Sequence, residues 1–296
     1  MNSKVVVLQI FLSISVLVSA QKSHNIENLE LPRINQKDNI IKHFGFTLSY
    51  NEMYEQANWV AYELTAAETI KNVSRSNNFH EDEAVKSGSA IDSDYKGSGY
   101  DRGHLAPAAD MSWSQQSMNE SFLYSNMSPQ QPGFNRGIWK RLEEQVRQWV
   151  IDNEAIYVVS GPILKSNLPT IGVNKVAVPA YYFKVLLDYR QPELKGIGFI
   201  IPNESSTLTL QSYAVPIDSV ENAVGIDFFP ALPDDQESKI EKNLCLTCWS
   251  WKSTSTRENS SSKTVAVQCS GITKAGNRCK RKTTNESGRC PQHLNN

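Results

Sequence analysis

Apolar positions in this chain fall into a few dense runs separated by long polar stretches. The first run extends from Val5 to Val18 and is broken only by Gln9, Ser13 and Ser15; Lys4 precedes it, and the small residues Ser19 and Ala20 follow it. A basic start, a short apolar segment and small residues are the pattern of a secretory leader, with cleavage expected after Ala20. The run falls short of the roughly 20 residues a spanning helix needs. It therefore predicts export, to the periplasm or the medium, with no stable membrane association afterwards.

Beyond a polar lead-in at 21–39, the pattern grows dense. Trp59 to Leu64 reads as a strand, and residues 86–103, rich in Ser, Gly and Asp, read as loop. Ile138, Leu142, Val146, Trp149 and Val150 recur at helical spacing and predict a helix over 138–153. Ile156 to Ile163 predicts a buried strand closed by a turn at Gly161-Pro162. Tyr181 to Tyr189 and Gly196 to Pro202 predict two more strands, and Ser212 to Val215 a short one. Short helices are expected over 219–224 and 233–242. Strands and helices do not alternate regularly, so the expectation is α+β, a mixed and mainly antiparallel sheet flanked by helices.

Composition changes this picture in two places. At 40% hydrophobic and 21% charged residues, the bulk of the chain is neither disordered nor fibrous. The formal charge of −1 is unevenly spread: 21–262 holds 22 basic against 30 acidic residues, whereas 263–296 holds seven basic residues and one acid. The body does not advertise polyanion binding; the tail does so weakly. All five cysteines lie at or beyond Cys245, so the main core is not disulfide-stapled. The expected organisation is a leader at 1–20, the lead-in at 21–39, a main domain at 40–244, a Cys-x-x-Cys segment with a Ser/Thr-rich linker at 245–263, and a small module at 264–296.

The sharpest chemical signal is the Gly-rich stretch Gly97 to Pro107, which holds Asp101-Arg102-Gly103-His104. A histidine can act as general base near neutral pH, and a neighbouring arginine can offer forked donors to a phosphate. Taken alone, His104 reads first as a satisfied turn histidine. Downstream, Asn135 precedes the predicted helix and Glu143 lies a little over two turns on. Asn135 reads either as an N-cap or as a neutral hard ligand for Mg²⁺.

Asp101-Arg102-Gly103-His104, followed by Asn135-x-Gly137-x-Trp139-x-x-Leu142-Glu143, resembles the DNA/RNA non-specific endonuclease family of ββα-metal nucleases, which includes secreted bacterial nucleases and mitochondrial endonuclease G. The likeness extends over roughly 40–232, through Arg75, Phe79 and Asp82, Asp94-Tyr95, Val159 to Pro162, Val178 to Val185 and Gly225 to Pro230. The resemblance implies a ββα-metal fold and a Mg²⁺-dependent hydrolysis of DNA and RNA to 5′-phosphate products, with Mn²⁺ as a substitute. It implies His104 as general base, Asn135 as the direct protein ligand of a hydrated metal and Glu143 as a holder of metal-bound water. Arg102 and, as a looser match, Arg75 are expected on the phosphate, and Asn126 in support near the site. Some relatives dimerise, so a homodimer is a further expectation.

In the tail, Cys269, Cys279, Cys290 and His293 are separated by nine, ten and two residues, a spacing compatible with a tetrahedral zinc set. Disulfide pairing after export is the alternative, and zinc would leave Cys245 and Cys248 as a remaining pair. Arg278, Lys280, Arg281 and Lys282 read either as a nucleic-acid tether or as a solvated charged face. Two competing readings of the whole stay open: a non-catalytic nucleic-acid-binding module on the same fold, and a phosphodiesterase for small nucleotides.

Overall fold

The computed structural model describes residues 26–190, 193–251, 266–273, 276–285 and 287–294. The expected leader and nearly all of the Ser/Thr-rich linker lie outside the described residues. The chain divides into two units, 1–250 and 251–296.

In the first unit the elements run β1 (Asn39–Lys42), β2 (Thr47–Asn51), β3 (Gln56–Thr65), α1 (Asp92–Tyr95), β4 (Asp101–His104), α2 (Gln115–Glu120), β5 (Met127–Gln130) and α3 (Lys140–Asn153). They continue through β6 (Ala155–Pro162), β7 (Thr170–Ile171), β8 (Val176–Ala177), β9 (Tyr181–Asp188), β10 (Lys195–Pro202), β11 (Ala214–Val215), α4 (Ile217–Val224) and α5 (Asp234–Lys242). Seven strands form one sheet in the order β1-β2-β3-β6-β9-β10-β11, antiparallel at every pairing.

Side chains alternate across a strand, and here the alternation sorts structure from chemistry. Trp59 and Ala61 of β3, Tyr157 and Val159 of β6, and Phe183, Val185 and Leu187 of β9 join one core cluster. Ile217 and Val220 of α4, Ile240 of α5, Phe228 and Phe229 join it, together with Leu29, Ile163 and Leu232. The intervening residues reach toward the site: Tyr62 donates to Asp110, Ser160 to the Leu105 carbonyl and Tyr182 to the Pro129 carbonyl. On that side α3 packs against β3 and β6, burying Leu142, Val146, Trp149 and Val150.

Three local expectations change. The stretch 86–103 is not all loop: it contains α1 and opens β4, whose pairing with β5 is a tertiary gain that composition does not reveal. Gly161 and Pro162 lie inside β6 rather than in a turn after it; Gly161 allows a close approach by the Asn58 carbonyl, which a Cβ would meet at 2.3 Å. The polar lead-in, which sequence alone sets outside the main domain, packs onto it where described: Leu29 is fully buried in the main core and Arg33 pairs with Asp227. Cys245 and Cys248, left as a pair by the sequence reading, form a disulfide within the first unit, next to Trp249, whose ring packs on Trp149.

The second unit contains β12 (Val267–Gln268) and β13 (Lys282–Thr283), paired antiparallel.

Candidate active site

Two strands and the turn into α3 build the site. β4 pairs antiparallel with β5, setting Asp101 opposite Gln130 and His104 opposite Met127. The chain then enters a π-wound turn, Phe134–Trp139, which leads directly into α3. This is a ββα unit. Gly103 permits the strands to close, because a Cβ there would stand 2.1 Å from the Gln130 side chain, itself fully buried.

His104 ends β4 at 8% exposure, its ring set edge-on to Phe122 at 4.9 Å and near Phe79 at 5.9 Å. Its Nε2 is buried without a hydrogen-bond partner among the described residues. Burial, then the positive charges of Arg75 and Arg102, pull its pKa down to about 3. The imidazole is therefore neutral at physiological pH, the form able to take a proton. A buried ring nitrogen left unpaired costs about 1–3 kcal/mol, and such cost is tolerated where a reacting group completes the contact. The turn reading of His104, in which its polar atoms are satisfied locally, is not what the fold provides.

The two arginines stand beside it. Arg102 lies over the Phe79 ring at 4.0 Å and pairs with Asp92, which also accepts from Tyr124. Arg75 lies over the Phe122 ring at 4.9 Å and donates to Asn77. Each guanidinium has five donors in a planar fork, so these contacts leave capacity for a phosphate. Lys71, Arg75 and Arg147 line a cleft of ≈ 240 Å³, a basic patch on an otherwise acidic body.

Asn135 is not a helix cap. The π turn begins after Gly133 without a side-chain cap, and the Asn135 amide instead donates Nδ2 to Asp101 Oδ2 at 2.9 Å. Asp101 is held in turn by a bidentate fork from Arg136, at 2.8 and 2.6 Å. The amide NH₂ is thus committed, and the carbonyl oxygen is the atom left to bind elsewhere. Gly137 breaks the helical backbone just beyond, with φ −106° and ψ −109°; π segments of this kind lift a side chain off the regular helix ladder.

Glu143 sits on the first turn of α3. Burial raises its pKa, and the nearby charges of Lys184, Arg147 and Arg75 oppose that rise. Asp110 completes the cluster, accepting from Arg147 at 2.7 Å and from Tyr62 at 2.7 Å. The Lys184 ammonium is buried over the Trp139 ring at 4.7 Å. Arg75 bears on both His104 and Glu143 and so ties the hairpin side of the site to the helix side.

Asn126 is a strut rather than a reacting group. It is fully buried, donates to the carbonyls of Ala106 and Ser121, and accepts from the Ala106 amide, fixing the chain just after His104. Beside it, Ser125 donates to Asp82, which also bonds His43. Sequence reasoning assigned no role to Asp101, Asp110, Arg147 or Lys184. Asp101 lies within the Asp101–His104 tetrad and Lys184 within the Val178–Val185 stretch, but their partners are distant in sequence.

Residues 29–235 match the family model described as DNA/RNA non-specific endonuclease. Mitochondrial endonuclease G of Bos taurus is 36% identical over 201 residues, covering 63% of this chain and 67% of that protein. A nuclease of Nostoc sp. is 35% identical over 211 residues, covering 67% of this chain and 76% of that one. Among solved structures, a chain from the EndoG/EndoGI complex superposes with a TM-score of 0.65 at 33% identity, covering 71% of this chain and 92% of that one. With the ββα unit, its histidine and its asparagine in place, the chain belongs to the DNA/RNA non-specific endonuclease family and is an endonuclease.

Proposed function

We propose that this protein hydrolyses the phosphodiester bonds of both DNA and RNA in a Mg²⁺-dependent reaction, with Mn²⁺ as a substitute, and leaves 5′-phosphate ends. The observation that carries this reading is His104: a neutral imidazole whose Nε2 has no hydrogen-bond partner among the described residues, in the field of Arg75 and Arg102, on the strand pair that leads into the Asn135 turn.

The residues present fit a hydrated hard cation. Asn135 offers a neutral amide oxygen whose NH₂ is already held by Asp101, and Glu143 offers a carboxylate on the same helical segment. Asn135 would hold the ion directly and Glu143 through its water. Mg²⁺ held there would supply positive charge to the phosphate.

The protein's own groups do the rest. Arg102 and Arg75 bind the phosphate by charge-assisted hydrogen bonds. The His104 imidazole takes a proton from the attacking water. Phe79 and Phe122 fix the ring and keep bulk water from it. Asp101 orients the Asn135 amide, and Asn126 anchors the backbone after His104. Contacts to phosphate carry no sequence information, which accounts for action on either sugar and on any base order.

The proposed site of action is outside the cytoplasm, in the periplasm or the medium. The leader pattern at 1–20 supports this, as does the Cys245–Cys248 disulfide, a bond that persists in oxidising compartments.

The test is a paired comparison of His104→Ala and Asn135→Ala with the parent chain, in cleavage and in binding to the same duplex. Cleavage is expected to fall by about 10²–10⁴-fold in His104→Ala while the dissociation constant stays within a few-fold. Unchanged cleavage in that variant overturns the mechanism. A parent that binds but never cuts supports the binding-module reading instead.

A further inference from the structure

We propose that the second unit is a zinc-stapled module in which Cys269, Cys279, Cys290 and His293 hold one structural Zn²⁺. The four ligand atoms, spread over 25 residues of sequence, all lie within 4.8 Å of one another. His293 Nδ1 is 3.4 Å from the sulfurs of both Cys269 and Cys290, and the sulfurs of Cys279 and Cys290 are 4.0 Å apart. A tetrahedron with Zn–S of about 2.3 Å and Zn–N of about 2.0–2.1 Å has edges of roughly 3.5–3.8 Å, close to these separations. A disulfide would bring two sulfurs to about 2 Å, and all three cysteines are free.

The surroundings are built for this cluster. Gly271 N–H and Cys290 N–H both donate to Cys269 Sγ, at 3.3 and 3.2 Å, which favours a thiolate there. Cys290 and His293 are brought to one side by a single turn opened by Pro291, closed by His293 N–H donating to the Cys290 carbonyl at 2.8 Å. Gly271 leaves room for the imidazole, since a Cβ there would stand 2.4 Å from the ring. Cys269 follows β12, and its N–H donates to the Arg281 carbonyl next to β13, so the hairpin delivers the first ligand.

Energetics make the ion necessary. Among the described residues, the buried cluster of this unit consists of the three cysteines themselves. A unit this small, whose described residues form no apolar core beyond those cysteines, does not bury enough surface to fold unaided and needs a staple. Three thiolates and one imidazole are a soft donor set that selects zinc over Mg²⁺, so this site is chemically separate from the nuclease centre. Its coordination shell is complete with protein ligands, the mark of a structural rather than a catalytic ion.

The experiment uses the full chain, passed over a chelating resin and assayed for metal and thiols. One tightly held zinc per chain is expected, with three thiols titrating only after denaturation in chelator. Replacement by Co²⁺ is expected to give the ligand-field bands of a tetrahedral site together with a thiolate charge-transfer band. Cys279→Ser and His293→Ala are expected to retain at least about tenfold less zinc, while His104→Ala retains it fully. Zinc absent together with a single titrating thiol means that two cysteines have paired, and overturns the proposal. Equal zinc in the parent and in Cys279→Ser overturns it as well.

Discussion

His104 shows how much a single side chain depends on what surrounds it. Its neutrality comes first from burial and then from the fields of Arg75 and Arg102. Because the folded pKa lies below the unfolded value, the unfolded chain binds the extra proton as pH falls through the interval from about 6.5 to about 3, and stability declines across that window. The same shift keeps the base in its active form below pH 6. Cleavage rates measured against pH are therefore expected to hold through the range where an ordinary histidine would already be protonated; a half-maximum near 6.5 would contradict the assigned environment. Asp101→Asn tests the partner side. It loses the Arg136 fork and weakens the hold on Asn135, and is expected to raise the Mg²⁺ concentration needed for half-maximal rate by about tenfold or more, with melting temperature little changed. As candidates for the proposed site, His104, Asn135 and Glu143 were legible in sequence because a motif carries them. Asp110, Arg147 and Lys184 were not, because their meaning lies in a cluster that forms only when β9, α3 and the chain after β4 converge.

At the scale of elements, hydrophobic pattern located the long strands and α3 well. β3, β6, β9 and β10 are buried and apolar enough to announce themselves, and α3 carries a clear helical stripe. β4 and β5 escaped that reading. Each is four residues long, and their sequences, Asp-Arg-Gly-His and Met-Ser-Pro-Gln, carry no strand pattern. They form by pairing with each other, Gly103 opposite Ser128 and with the Gln130 side chain lying over it. Gly103→Ala is accordingly expected to cost about 1–3 kcal/mol by overpacking and to lower cleavage by misplacing His104. Adding Gln130→Ala in the same chain is expected to recover much of the stability, read by thermal or denaturant unfolding. No recovery would mean that the clash lies with the backbone rather than with Gln130. The lead-in taught a related lesson: one leucine, Leu29, completes the core under β3, β6 and β9, a role that local composition does not reveal.

At the scale of the whole molecule, charge and covalent chemistry divide between the two units. The body carries the nuclease centre and a disulfide, while the tail carries free cysteines and a net positive charge. In the tail, Arg278, Lys280, Arg281, Lys282 and Arg289 are all exposed. Truncation after Ser250 is expected to leave cleavage chemistry intact and to weaken nucleic-acid binding at low salt, the difference shrinking as salt screens the lost charges. Equal binding at low salt would show that the tail's charge faces only solvent. The central claim is catalytic, and one assay tests it most directly: residues 21–296, shown to be folded, incubated with plasmid DNA and with RNA, in Mg²⁺ and in EDTA. The account predicts that both substrates are cut in Mg²⁺ and that neither is cut in EDTA. Intact DNA and RNA in Mg²⁺ and in Mn²⁺ would contradict it.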